Sequence, residues 1–269
     1  MRKGVLFFVA AILTSVIAGC AAAPVDILSP ADVTVAELEK RINAATDPEG
    51  CFAACRSYIM RQEITEKYFI NPDVIKMVEV KFEKPDKIAL VTYEDNDPDS
   101  VFCTDGKRGW VASYKSRKIL QLDEKGLERM QMLTRLGQPG NSSYSTVFDK
   151  VEVNKCINDD GEFYRVDCFN GDSGNPVSFY IDSKSYLTKM VKMKFAAPSG
   201  AVINYTNRIL KYEMREGVNI PVSTVIDQDG TVQESKVIFY KLNSEFSADE
   251  FQPPVFKTAN RRPIFGGDF

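Results

Sequence analysis

From about Phe52 onward, apolar and polar residues alternate with a period of two. Val78, Val80 and Phe82 interleave with Glu79, Lys81 and Glu83, and Ile88, Leu90 and Thr92 interleave with Ala89, Val91 and Tyr93. Successive side chains of a strand point to opposite faces, so this spacing predicts β-strands. Further alternating or apolar runs at 110–114, 147–153, 163–169, 177–181, 187–195, 202–214, 220–226 and 236–242 bring the expectation to roughly ten strands. Between the runs fall Asp105-Gly106, Asp160-Gly161, Ser199-Gly200, Glu216-Gly217 and Asp229-Gly230. Several of these are strong hairpin signals, because glycine tolerates positive φ. Strand, hairpin, strand predicts an antiparallel meander, and a long antiparallel sheet must curl to cover one apolar face and hide its edges.

Two stretches leave this period. Thr34-Val35-Ala36-Glu37 has the form of a capping box, and Val35, Leu38, Ile42 and Ala45 then repeat at helical spacing as far as Asp47-Pro48. Between Leu122 and Leu136, Leu127, Met130 and Leu133 line one side of a second predicted helix, which Gly137, Pro139 and Gly140 end. The fold class expected is mainly β (α+β), with two helices packed into a strongly curved antiparallel sheet.

The N-terminus carries a different pattern. Met1-Arg2-Lys3 precedes an apolar stretch from Val5 to Ile17, and Ile17-Ala18-Gly19-Cys20 closes it. A basic start, about a dozen apolar residues and small residues before a cut make a secretory signal. The cysteine directly after Gly19 supplies a thiol for lipid attachment. The run falls short of the ~18 residues a membrane-spanning helix usually needs. Residues 1–19 are therefore read as a lipoprotein signal peptide and Cys20 as the site of diacylglyceryl and palmitate-type acylation. Two or three acyl chains give stable anchoring, each buried methylene contributing ~0.8 kcal/mol. Ala21 follows in place of the aspartate that marks inner-membrane retention in enteric bacteria, which favours the outer membrane with the domain facing the periplasm. Residues 20–31, with Ala21-Ala22-Ala23-Pro24 and Ser29-Pro30, read as the lipidated N-terminus and tether. Residues 32–258 read as the folded domain and 259–269 as a flexible tail.

Composition narrows the function. The chain holds 34 Lys and Arg against 37 Asp and Glu, and no histidine. Nothing in this balance points to nucleic acid, and the commonest general base and metal ligand is missing. Gly171-Asp172-Ser173-Gly174-Asn175-Pro176 imitates a serine-protease nucleophile loop, but that chemistry needs an imidazole. Asp95, Asp97 and Asp99 alternate like a calcium loop, yet Ser100 stands where the glycine belongs and Gly106 where the bidentate glutamate belongs; an exposed acidic hairpin is the better reading. Cys51, Cys55, Cys103, Cys156 and Cys168 match no zinc spacing and are read as structural disulfides or buried thiols, with Cys51 and Cys55 both able to approach Cys103 if their strands are neighbours. No cofactor and no metal are expected, and the protein is not expected to be an enzyme.

The order of these elements resembles the LolA/LolB-like outer-membrane lipoprotein-sorting superfamily. The resemblance rests on a helix followed by a strand ending in a basic residue and proline, here Phe82-Glu83-Lys84-Pro85-Asp86-Lys87-Ile88. An acidic-glycine hairpin and aromatic strand follow at Thr104-Asp105-Gly106-Lys107-Arg108-Gly109-Trp110-Val111-Ala112-Ser113-Tyr114, then the helical segment Leu127–Leu136, then Tyr240-Lys241-Leu242-Asn243 leading to Phe251-Gln252-Pro253-Pro254. The soluble carrier has arginine before the proline where this chain has Lys84, and the two side chains differ in hydrogen-bonding geometry. The carrier is also not lipidated, so an anchored acceptor or lipid-binding role fits better than a shuttle.

The resemblance implies an unclosed half-barrel whose concave face, capped by helices, forms an apolar cavity for acyl chains. Burial of apolar surface contributes roughly 25 cal/mol per Å², which would make enclosing an acyl chain worth several kcal/mol. Phe82, Leu90 and Trp110 from the sheet and Leu127, Met130 and Leu133 from the helix are the candidate lining, with core packing as the alternative at each. Lys84 is the candidate rim residue, against a solvated strand-end lysine. The function expected is a membrane-anchored binder of lipids or lipidated proteins. The alternative is a regulatory or scaffolding lipoprotein that senses envelope state or docks an envelope protein partner.

Overall fold

A computed structural model of the chain describes residues 25–66, 74–124, 126–128, 131, 143–171, 175–196 and 202–256. Among them, fourteen strands form one sheet. In chain order these are β1 (Ile27–Pro30), β2 (Ser57–Glu66), β3 (Val74–Glu83), β4 (Lys87–Glu94), β5 (Asp97–Thr104), β6 (Gly109–Ser113), β7 (Lys118–Gln121), β8 (Lys150–Asn158), β9 (Gly161–Phe169), β10 (Val177–Asp182), β11 (Thr188–Ala196), β12 (Val202–Arg215), β13 (Val218–Gln228) and β14 (Thr231–Leu242). The spatial order is β1-β8-β9-β10-β11-β12-β13-β14-β2-β3-β4-β5-β6-β7. Two antiparallel meanders, β2–β7 and β8–β14, thus lie side by side and are joined where β14 pairs with β2. β1 and β7 remain as edges, so the sheet is an unclosed half-barrel, as the family resemblance implies.

Two-residue hairpins account for several of the turns. Asp95-Asn96 has φ of 51° and 68°, Glu216-Gly217 of 51° and 78°, and Asp229-Gly230 of 49° and 86°, the pair of positive values that matches strand twist. Gly217 answers a second demand: a Cβ there would lie 2.5 Å from Cys51 Sγ.

Helix α1 (Val35–Thr46) forms where its capping and spacing place it. The Thr34 side chain accepts a hydrogen bond from Glu37 N at 3.2 Å, and Leu38 and Ile42 are buried. Two single-turn helices were not foreseen, α2 (Cys51–Ala54) and α3 (Tyr144–Val147); four residues are too few to show a helical period. Residues 27–30, assigned by sequence to the tether, pair with β8 as an edge strand.

One face of the sheet, here the inner face, carries the helices. Phe52 of α2 packs with Tyr58, Val80, Phe82, Ile220 and Leu242, and α1 and α3 pack with Val166, Phe179 and Ile181. The outer face of β4–β6 is covered by the C-terminal segment, where Phe246, Phe251 and Phe256 meet Ala89, Val101, Cys103, Trp110 and Ala112. Cys55 belongs to the inner core and Cys103 to the outer one, and the five described cysteines are free thiols.

Candidate functional site

Cross-strand register brings one row of inner-face residues together. On β2 the inward positions are Tyr58, Met60 and Ile64, with Gln62 between them. Met60 lies opposite Tyr240 and Ile64 opposite Ser235 on β14. Ser235 lies opposite Thr224 on β13, Thr224 opposite Ile209 on β12 and Ile226 opposite Asn207. Asn207 in turn faces Val191 on β11, and Val191 faces Phe179 on β10. Bulges interrupt β12 between Ile209 and Tyr212 and β14 between Val237 and Phe239, and a bulge bends its strand. Over this face sit Ile42 and Thr46 of α1 and Tyr144 and Val147 of α3. Between roof and sheet is a cavity of about 340 Å³.

The lining carries no charged side chain among the described residues. Several of its polar groups are engaged locally. Tyr212 OH donates to the Thr188 carbonyl at 2.8 Å, Asn219 Nδ2 to the Ala45 carbonyl at 2.6 Å, Thr46 Oγ1 to the Ile42 carbonyl at 2.8 Å and Ser235 Oγ to Gln62 Oε1 at 3.3 Å. Burial pushes the Tyr212 hydroxyl well above its ordinary range, so it stays protonated and donating. Two polar atoms, the Tyr240 hydroxyl and Asn207 Oδ1, are buried without a partner. The lining thus presents uncharged amide and hydroxyl groups among apolar side chains.

Four of the residues predicted from sequence are described and lie elsewhere. Phe82 is fully buried beneath α2, its ring 5.2 Å from that of Tyr58, which is itself 5.9 Å from Phe52. Leu90 packs at the margin of the same core. Trp110 is on the outer face, with the Arg108 guanidinium 5.2 Å from its ring centre. Leu127 is half-buried, and its Cδ1 would be 3.2 Å from a Cβ placed on Gly109. None of these four is among the residues lining the cavity. Met130, Leu133 and Cys20 lie outside the described residues. Lys84 is bound to α2, donating to the carbonyls of Phe52 and Ala53. The cavity uses the other meander and the β14–β2 junction. The signal that could have marked it is a polar residue at an inward strand position, as at Gln62, Asn207, Thr224 and Ser235, where a solid core would hold an aliphatic one.

No family model matches the chain, and no curated protein matches it by sequence. Solved structures do match it in fold. A LolA superfamily protein from Nitrosomonas europaea superposes with a TM-score of 0.52 at 10% identity, covering 82% of this chain and 98% of that one. A domain assigned to outer-membrane lipoprotein sorting from Vibrio parahaemolyticus gives 0.54 at 12% identity, covering 80% and 95%. A DUF1329 family protein from Desulfovibrio piger gives 0.53 at 8% identity, with the same coverage of 80% and 95%. The chain therefore has a LolA-like fold.

Proposed function

We propose that this protein is a non-enzymatic, membrane-anchored lipoprotein that binds lipid or lipoprotein acyl chains and serves their transport, transfer or sorting at the outer membrane. In this reading residues 1–19 are removed, Cys20 carries the lipid anchor, and the half-barrel faces the periplasm. The observation that carries it is the cavity of about 340 Å³ under α1 and α3, uncharged and walled by Met60, Ile64, Ile209, Ile226 and Val237. Its size falls within the ~300–1,000 Å³ of ordinary ligand pockets. The likeness to a lipoprotein-sorting domain supports the same use.

Native mass spectrometry of residues 21–269, secreted from a cleavable signal and purified without detergent, tests the reading. Discrete mass additions that extract as acyl lipids are expected. A bare chain that also takes up no fluorescent fatty acid overturns it.

A further inference from the structure

The lining of the cavity is uncharged, but its open end is not. Along β13 the inward side chains pass from buried Ile220 through half-buried Thr224 and Ile226 to exposed Gln228. Tyr58, Val237 and Tyr240 close the opposite end, in the core beneath α2. The cavity therefore opens toward the end of the sheet where β2 and β13 finish and β14 begins.

Charged residues stand at that opening on the same face. Ile64, which lines the cavity, lies opposite Lys76 on β3, and Lys76 lies opposite Glu94 on β4. Cross-strand partners share a face. So do alternate residues of one strand, which puts Glu66 about 7 Å beyond Ile64 at ~3.3 Å per residue. Lys76 Nζ donates to Glu66 Oε1 at 3.1 Å, and Gln233 Nε2, across from Glu66 on β14, donates to the same oxygen at 3.3 Å. Glu66 is 16% and Lys76 31% exposed, so this pair is set into the face, while Glu94 is open to solvent. The opening thus reads carboxylate, ammonium, carboxylate.

Charges at the mouth of an uncharged cavity set the direction of entry. An amphiphile that enters tail first buries its methylenes and leaves its head among the ions, whereas head-first entry strips a charged head of water with no charge to receive it. If a methylene occupies about as much space as one water, ~30 Å³, then 340 Å³ takes roughly a dozen carbons, one chain and not several. A carboxylate head would meet one cation between two carboxylates, and an ammonium head would meet Lys76 between its two acceptors. A head that carries both signs matches the row, because charge-assisted hydrogen bonds then form on each side. We infer that the cavity takes a monoacyl phospholipid tail first, with a phosphate–ammonium head whose phosphate accepts from Lys76 and whose ammonium donates to Glu94. This rests on the acyl-binding reading above and names the ligand class for the same site.

Calorimetric titration of residues 21–269, which keep every described residue, with lauroyl lysophosphatidylethanolamine, laurate and dodecylammonium compares three heads on chains of one length. The zwitterion is expected to bind about threefold tighter than either of the others, as one exposed ion pair provides. Glu94→Lys, at an exposed position, is expected to weaken the zwitterion about threefold and to tighten laurate by as much. Glu94→Gln removes the charge without reversing it and should move both affinities in the same directions and less far, so the sign can be read even if the lysine variant does not fold. Affinities for the zwitterion and laurate that neither variant changes overturn the placement of the head. Laurate or dodecylammonium as tight on the parent protein as the zwitterion overturns the choice of head. Both results leave acyl binding standing. If none of the three binds, the acyl-binding reading itself fails.

Discussion

The ammonium of Lys84 donates to the Phe52 carbonyl at 2.7 Å and sits 5.0 Å from the centre of the Phe52 ring. It also reaches the Ala53 carbonyl at 2.9 Å. At the other end of α2 the Asp47 carboxylate accepts from the backbone N–H groups of Phe52 at 3.1 Å and Ala53 at 2.9 Å. One turn of helix therefore has an anion at its N-terminus and a cation at its C-terminus, satisfying backbone groups that so short a helix cannot satisfy by itself. The result holds Phe52 down on Tyr58.

Lys84→Met keeps most of the aliphatic stem and removes the donor, so it should lower stability by roughly 1–3 kcal/mol in thermal or urea unfolding. Acyl uptake separates this role from a rim role. A variant with an unchanged melting temperature and weakened lipid uptake would assign Lys84 to the ligand instead of to α2.

Asp26 ties the start of the domain to the outer face. Its carboxylate accepts from Tyr180 OH at 2.6 Å, Asn158 Nδ2 at 2.9 Å and Arg165 Nη1 at 3.1 Å. Burial alone would raise this carboxyl. The hydrogen bonds from Asn158 and Tyr180 and the charges of Lys192 and Arg165 outweigh burial and hold it below the usual range. A carboxyl depressed in the folded state adds stability that is complete above its unfolded value of ~3.9 and is lost as pH falls through the folded value. Asp26→Asn should therefore cost roughly 1–3 kcal/mol at pH 7. The gap from the parent protein should close progressively below about pH 4, as read from melting temperatures across pH. A gap constant from pH 7 to pH 2 would contradict this.

Phe251, 1% exposed, seals the outer core, meeting Phe246 edge-on at 5.6 Å and packing on the Cys103 and Trp110 cluster. Truncation to alanine should cost about 3–5 kcal/mol. Burial pushes the Cys103 thiol up to about 11, so the native protein should alkylate slowly there. Phe251→Ala should speed alkylation of Cys103 while leaving Cys168, in the inner core, slow. Peptide mapping after timed alkylation reads both.

Much of this architecture is written in local pattern. α1 was legible because Thr34 caps it and Leu38 and Ile42 repeat on one face. The strands from Val74 to Glu94 and from Lys150 to Leu242 were legible because their inward positions alternate. β1 was not, since all four of its residues are exposed and leave no alternation to read. β5 was obscured by the aspartates and proline at its start. The site was less legible than the fold. Phe82 and Met60 look alike as apolar strand residues, yet one fills a solid core and the other borders a cavity, and that difference is set by which strands become neighbours. Ser235 and Gln62 are 173 positions apart in the chain and hydrogen-bonded in the fold; no local period announces such a pairing.

That junction also orders events in time. Each meander can grow hairpin by hairpin from contacts close in sequence, whereas joining β14 to β2 closes a loop that takes in most of the chain, a slow step because its entropy must be lost before any pairing compensates. Ser235, Val237 and Tyr240 reach the cavity only through β14, so a nascent chain has no enclosed interior until its last strand has emerged. Until then β2 and the inner faces of both meanders are open to one another and to other chains, and completing the site is the same event as completing the fold.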